Sequence, residues 1–414
     1  MPHERPRYLS ANIARALSYS PIVGILGQRQ VGKTTLLESV CGDYVSFDNA
    51  PALNQARADS ALFLSGHKPP FGIDEAQLCA PLFPALKEWV RTRKSKGQFI
   101  LSGSVRFTSK ADIRESLTGR IATLELLPFT ISEAAQHPLP NVCEQLLAAR
   151  SAAGLAFLTE RRASPQSFTR FLEHGGLPGI SFLRDAHLRT AKLEMHLDTL
   201  LSRDIRQIYP TTLLYGSLRS LLAYLARHQG RPLEWTEAAR ASQISTVTLK
   251  RILFALEALL LVRVIPSLDT ATGSGKPTVF LEDQGMATWL KESAFNSADD
   301  ITRGLYANLR QEYHYRPELG GKVLHWRTRN GVEVPLVFAS RQGRLGIVPT
   351  LSPEPAPKTL GSAQSFLRTF PGSKVVVAYG GSEIVYKTAS MFWVPYWLLG
   401  GWQEVGWRTF CIAN

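Results

Sequence analysis

Short uninterrupted apolar runs alternate with longer stretches in which apolar residues recur every three or four positions over the first 130 residues. Residues 21–26, 70–74 and 98–101 are of the uninterrupted kind, which predicts strands buried on both faces of a parallel sheet. Residues 43–48 alternate apolar with polar and predict a further strand. Between them, 35–40 opens a helix, 51–66 reads as helix and connection, and 85–96 predicts an amphipathic helix whose cationic end suits the C-terminal dipole. Residues 1–20 predict a lead-in helix carrying Arg5, Arg7 and Arg15. This alternation predicts an α/β fold built on a parallel sheet.

Further on the pattern turns helical. An alanine-rich helix is predicted over 145–157, a polar connection over 159–164 and a helix over 187–201, with a Gly175-Gly176-Leu177-Pro178 break between helical stretches. From 213 to 283 three helices (215–228, 236–243, 246–261) precede two short strands (261–265, 278–281) around a flexible loop, 269–276. This is the pattern of a winged helix-turn-helix, in which the second helix of the pair 236–243 and 246–261 reads a DNA groove with its N-terminal residues. Thr246, Thr248, Lys250 and Arg251 are the DNA-contact candidates there, with Lys276 of the loop as a phosphate contact. The same module also serves protein partners. A rigid proline-rich loop (351–358), a buried strand (374–379) and an aromatic-rich end (391–407), suited to packing or a subunit contact, complete the chain.

The chemistry enters between the first strand and its helix. Gly27-Gln28-Arg29-Gln30-Val31-Gly32-Lys33-Thr34-Thr35 is a complete G-x-x-x-x-G-K-[ST] loop in the strand–loop–helix setting that gives the motif meaning. Gly27 and Gly32 let backbone amides close around phosphate oxygens, and the helix N-terminus adds partial positive charge. Lys33 reaches the β- and γ-phosphates, and the Thr34 hydroxyl takes one Mg²⁺ position, so ATP and Mg²⁺ are the expected cofactors. The 70–74 strand ends in Asp74-Glu75, the Walker B pattern: Asp74 holds the metal and Glu75 orients or deprotonates the attacking water. Gly72 makes that strand less apolar than usual. Ser102 or Ser104, at the end of the next strand, is positioned to sense the γ-phosphate; the sequence does not choose between them.

Composition adds a partner class. The 414 residues carry 47 Lys+Arg against 34 Asp+Glu, a net charge of +13, which favours an anionic partner such as DNA. With 44% hydrophobic residues the chain has material for several cores. Four scattered cysteines (41, 79, 143, 411), without metal spacing, point to a reducing cytoplasm. The N-terminus lacks an apolar targeting core and residues 391–399 are too short to span a bilayer, so a soluble cytoplasmic protein with no membrane partner is expected.

The motifs occur in one order: GQRQVGKTT, IDEAQ, LSGS, SLTGR and LPFT followed by Glu133. In this the chain resembles a family of prokaryotic AAA+ ATPases carrying a winged helix and a nuclease-like C-terminal domain. The resemblance implies a P-loop core over 1–160, a helical lid over 161–212, a winged helix over 213–283 and a restriction-endonuclease-like domain over 284–414. It implies an arginine finger at Arg120 acting on a neighbouring subunit, a structural salt bridge being the other reading. It places Gly176 and Pro178 at the base of the nucleotide, unless the break is a plain turn, and makes Arg203 of the Arg203-Asp204 pair a second nucleotide sensor. The nuclease pattern is degraded: Ala307 precedes Asn308 where the family has Glu, Pro335 replaces the acid after Glu333-Val334, and 346–349 lacks both Glu and Lys. Loss of nuclease activity is therefore expected. Residues 325–330, basic and aromatic, suit a nucleic-acid surface or an ordinary strand. The expected function is an ATP hydrolase acting on DNA as a homo-oligomeric ring motor, with a hexamer favoured by resemblance. A nucleotide-gated DNA switch or defence sensor, and an ATP-dependent protein remodeller, are the alternatives.

Overall fold

The apolar runs become the centre of a five-stranded parallel sheet. The computed structural model describes residues 5–103, 117–268 and 275–401. Strands β1 (Ile22–Leu26), β2 (Asp43–Ser46), β3 (Phe71–Asp74), β4 (Phe99–Gly103) and β5 (Ile121–Glu125) lie in the order β2-β3-β4-β1-β5, all parallel. Every residue of β1, β3 and β4 is buried, which is why these strands are apolar without alternation. Ile25 lies opposite Ser102, and Ile73 opposite Leu101. The C-terminal ends of β1, β4 and β3 therefore stand side by side, and the loops leaving them share one edge of the sheet. Helix α1 (Leu9–Leu17) buries Leu9, Ile13 and Ala16 at i, i+4 and i+7. Helix α2 (Lys33–Val40) leaves the glycine-rich loop.

The helical region follows. Helix α3 (Ala186–Thr199) continues through a π-type turn, Leu200–Asp204, into Ile205–Ile208. Helices α4 (Tyr215–Arg227), α5 (Trp235–Ser242) and α6 (Thr246–Ala258) lead into an antiparallel pair, β6 (Val262–Ile265) and β7 (Thr278–Leu281). One apolar cluster runs from Val23 and Ile25 of the sheet through Leu197 and Leu201 to Leu221 and Leu249, so the sheet and this helical module share a core. The predicted 145–157 helix is broken. It spans Val142–Ala148 and stops at Ala149, whose backbone is extended and whose carbonyl accepts Lys374 Nζ.

Helices α7 (Gln284–Lys291) and α8 (Ala298–His314) precede a six-stranded mixed sheet. Its strands, β8 (Lys322–Arg327), β9 (Glu333–Ser340), β10 (Gly343–Pro349), β11 (Lys374–Tyr379), β12 (Val385–Thr388) and β13 (Met391–Pro395), follow the order β12-β13-β11-β10-β9-β8. Helix α9 (Pro357–Thr369) covers one face through Ala363 and Phe366, and α8 covers the other. Trp326 is buried against Phe366 and Phe370, and His325 is 2% exposed, so 325–326 is core rather than a stacking surface.

Helix α8 also stitches this last segment to the first. The Tyr315 hydroxyl accepts the Leu127 amide (3.1 Å), Asn308 the Ile131 amide (3.0 Å), and Glu312 the amides of Val142 and Cys143 (both 2.9 Å). Thr130 donates to Gln311 at 2.8 Å. Beside these, Arg263 of β6 pairs with Glu125 of β5 and Glu282, and Arg310 of α8 pairs with Glu282 at 2.6 Å. Burial alone would raise the Glu282 carboxyl, but Arg310 and Arg263 hold it below the usual carboxylate range. No helix among the described residues is long and apolar enough to cross a membrane.

Candidate active site

The glycine-rich loop takes its shape from two tight positions. Gly32 caps α2 with φ +96°, a conformation that disfavours side chains. A Cβ on Gly27 would stand 2.7 Å from Val31 Cγ1 and 2.9 Å from the Leu126 carbonyl. Lys33 folds over the loop, donating to the carbonyls of Gly27 (2.9 Å) and Gln28 (3.1 Å). Its ammonium is pulled down to about 8 by burial, against the opposing pull of Glu75 and Asp74.

The register of the sheet gathers the remaining chemistry. Asp74 is 2% exposed; its Oδ2 accepts the Thr34 hydroxyl at 2.5 Å, and its Oδ1 accepts the Ser102 hydroxyl and the Glu75 amide (3.0 Å). Asp74 at the end of β3 thus joins Thr34 of α2 to Ser102 of β4, one on each carboxylate oxygen. Ser104 lies outside the described residues. Glu75 has φ +49°, and its carboxylate accepts Gln77 Nε2. Burial raises the Glu75 carboxyl, with Lys33 opposing. A cleft of about 650 Å³ is lined by Arg29, Gln30, Gly32, Lys33, Thr34, Thr35, Glu75 and Pro178, among others. The Thr34 hydroxyl and Asp74 carboxylate are hard oxygen donors in contact, a set that fits Mg²⁺ shared with phosphate oxygens and water.

Gly176 does not border the cleft. Its carbonyl accepts the Phe129 amide (2.8 Å), its own amide donates to Asp283 (2.7 Å), and a Cβ there would stand 2.1 Å from the Phe129 carbonyl. The break exists for this close approach, and Pro178 alone of the predicted pair reaches the cleft. Arg120 stands just before β5, at the edge of the sheet opposite the glycine-rich loop, with Nη1 donating to Thr118 O (3.2 Å). Arg203 is not among the cleft-lining residues; its side chain is 61% exposed and its Nε donates to Asp204 (3.1 Å).

Three residues have a place at the site that the sequence pattern did not assign to them. Arg7 is buried beneath the loop, donating to Val31 O (2.8 Å), Leu127 O (2.6 Å) and Glu133 (3.0 Å), its guanidinium 4.1 Å from the Phe129 ring centre. Gln77 turns Glu75. Asp204 accepts Arg29 Nε at 2.5 Å. The one-residue offset of Asp204 from Arg203 was the available signal.

On α6, Lys250 and Arg251 are exposed, while Thr246 and Thr248 are half-buried. The Lys250 ammonium is 5.5 Å from the Trp235 ring centre, and Lys276 pairs with Glu234 at 2.5 Å. The same helix exposes Val247 (65%) and Phe254 (69%). In the C-terminal segment Glu333 faces Arg327 at 3.7 Å, and among the described residues no three His, Cys, Asp or Glu side chains converge as a metal site.

Residues 19–135 match the family described as an AAA domain, and residues 165–297 match a domain of unknown function, DUF8612. Uncharacterized proteins of Mycobacterium tuberculosis and Mycobacterium bovis are each 28% identical to the chain over 286 residues, 68% of its length. The chain spans 58% of the length of these curated relatives. Among solved structures, a Walker-type ATPase of Pyrococcus abyssi is similar at 14% identity and a TM-score of 0.39, over 68% of this chain and 94% of that one. AMPPCP-bound DnaA from Aquifex aeolicus is similar at 15% identity and 0.25, over 59% and 86%. The family match and the loop geometry together make residues 19–135 a nucleotide-binding P-loop domain of the AAA ATPase type.

Proposed function

We propose that the chain is a Mg²⁺-dependent ATP hydrolase whose turnover is coupled to DNA. The hydrolase reading is carried by the Thr34–Asp74–Ser102 contacts, with Glu75 and Lys33 lining the same cleft. The triphosphate lies along the amides of 27–35, and Lys33 exchanges loop carbonyls for phosphate oxygens. Thr34 and Asp74 hold the metal, which when bound neutralises charge on those oxygens. Glu75, oriented by Gln77, takes the proton of the attacking water as its oxygen bonds to the γ-phosphorus and the β–γ bridging bond breaks. Ser102 holds the Asp74 carboxylate in place.

We read 1–160 as the core, 161–212 as lid, 213–283 as winged helix and 284–414 as a nuclease-like domain that keeps only Glu333 of its acids. The net charge of +13 and the exposed Lys250 and Arg251 support DNA as partner. Arg120, remote from its own cleft, suits a neighbouring subunit's nucleotide, and so a ring-shaped motor, a hexamer in this reading. The exposed Val247 and Phe254 favour a second reading, an ATP-dependent protein remodeller whose α6 face grips a protein.

Steady-state ATP hydrolysis tests these readings, without nucleic acid and with single-stranded, duplex and branched DNA, with Lys33→Ala as the blank. Stimulation by one DNA form supports the motor. Hydrolysis indifferent to every DNA supports the remodeller, and tight ATP binding without turnover supports a nucleotide-gated switch.

A further inference from the structure

The π-type turn at Leu200–Asp204 carries a charge into the nucleotide site. Such a turn widens a helix by one residue and persists where something holds it. Here the Asp204 carboxylate, 3% exposed, binds Arg29 Nε of the glycine-rich loop (2.5 Å) and Arg203 Nε (3.1 Å). The two arginines differ in setting. Arg203 turns to solvent, whereas Arg29 is 29% exposed and lines the cleft. Among the described residues, no hydrogen-bond partner meets the terminal nitrogens of Arg29. His196, 1% exposed, lies at the same spot, and Lys33 and Glu75 stand within electrostatic reach of Arg29. Burial first, and Arg29 second, push the His196 ring down to about 4, so it is neutral at pH 7 and gives Asp204 no countercharge.

A guanidinium tied at Nε presents its other edge, and Asp204 fixes which way that edge faces. We infer that Asp204 is a positioning residue: it aims the free edge of Arg29 at the phosphate end of the cleft, and so joins bound phosphate to the lid helix. The helix continues as Ile205–Ile208 and touches α6. Phosphate occupancy is thereby linked, through one charged hydrogen bond, to the element that carries Lys250 and Phe254. The inference rests on the nucleotide reading above.

The test uses the full chain, a fluorescent non-hydrolysable ATP analogue, and hydrogen exchange of residues 200–208. Arg29→Ala and Asp204→Asn each weaken analogue binding about tenfold, the scale of one charged hydrogen bond. The double variant binds no more weakly than Arg29→Ala. Saturating analogue slows exchange at 200–208 about tenfold in the unaltered protein and leaves it unchanged in Arg29→Ala. If Asp204→Asn does not fold, Arg29→Ala, altered on a partly solvated loop, decides through the exchange measurement alone. Additive losses in the double variant, or slowing retained in Arg29→Ala, overturn the inference. Binding abolished by Lys33→Ala but indifferent to Arg29→Ala and Asp204→Asn overturns it while leaving the nucleotide reading intact. An unaltered protein that binds no analogue overturns both.

Discussion

Arg7 and Glu133 form an ion pair at 3.0 Å in which the two side chains are 5% and 0% exposed. Glu133 also accepts the Tyr8 amide at 2.8 Å. The pair pins the chain before α1 to the segment after β5, directly under the glycine-rich loop, because Arg7 also holds the Val31 carbonyl. Breaking a buried pair leaves a charge in low dielectric without its partner, which costs about 3–5 kcal/mol. Arg7→Met is expected to lower unfolding free energy by that amount and to weaken nucleotide binding. Denaturant titration checks it; a midpoint equal to that of the unaltered protein sinks the assignment.

Lys33 gives a pH signature. Its free-state pKa, near 8, rises when phosphate arrives, since an anion favours the ammonium. Nucleotide binding between pH 8 and 9 therefore takes up protons, and affinity falls as pH climbs above 8. In the free protein the sign is opposite. The depressed pKa means that the unfolded chain binds more protons above pH 8, so stability rises from there toward the ordinary lysine value. Calorimetry in two buffers of different ionisation enthalpy reads the proton count, and Lys33→Ala should remove the uptake.

Gly176→Ala tests why the Gly-Gly-Leu-Pro break exists. The added methyl would meet the Phe129 carbonyl at 2.1 Å, so the backbone must move. The expected loss is about 2–3 kcal/mol, the upper range for overpacking. Thermal unfolding measures it. A variant as stable as the parent would return Gly176 to the role of an ordinary turn residue.

The α6 face separates the two partner readings. If it contacts DNA, Lys250→Ala and Arg251→Ala each weaken binding for all sequences and reduce the salt slope by about one. Phe254→Ser then changes little. If the face grips a protein, Phe254→Ser and Val247→Ser abolish that contact while leaving folding within about 0.5 kcal/mol, as expected for exposed positions. Salt-dependent binding curves and unfolding curves on the same variants tell the cases apart.

Much of this molecule is legible along the chain because it depends on local spacing. The fixed residues of the P-loop, Asp74 at the end of an apolar run and Ser102 at the end of the next are each a few residues of pattern, and the parallel register then brings them together. The residues that support the site are not local. Arg7 meets Glu133 across 126 positions and Arg29 meets Asp204 across 175, and no periodicity encodes such meetings. A helix-breaking motif looks alike whether it makes room for a ligand or for a neighbouring carbonyl, and at Gly176 it makes room for the carbonyl of Phe129. Residues 325–326 were open to two readings because a strand covered on both faces hides its basic and aromatic residues as readily as it displays them.

The hydrogen bond from the Leu127 amide to the Tyr315 hydroxyl spans 188 positions, and it has a temporal meaning. At ordinary translation speeds, Tyr315 is added roughly 10–40 s after Leu127. Throughout that interval a nascent chain holding every strand of the P-loop sheet has the carbonyl of Leu127 available to Arg7, but the side chains that accept its amide, and those of Ile131, Val142 and Cys143, are still to be made. The nucleotide domain is thus synthesised early and finished late, its underside closed by a helix from the last third of the polypeptide.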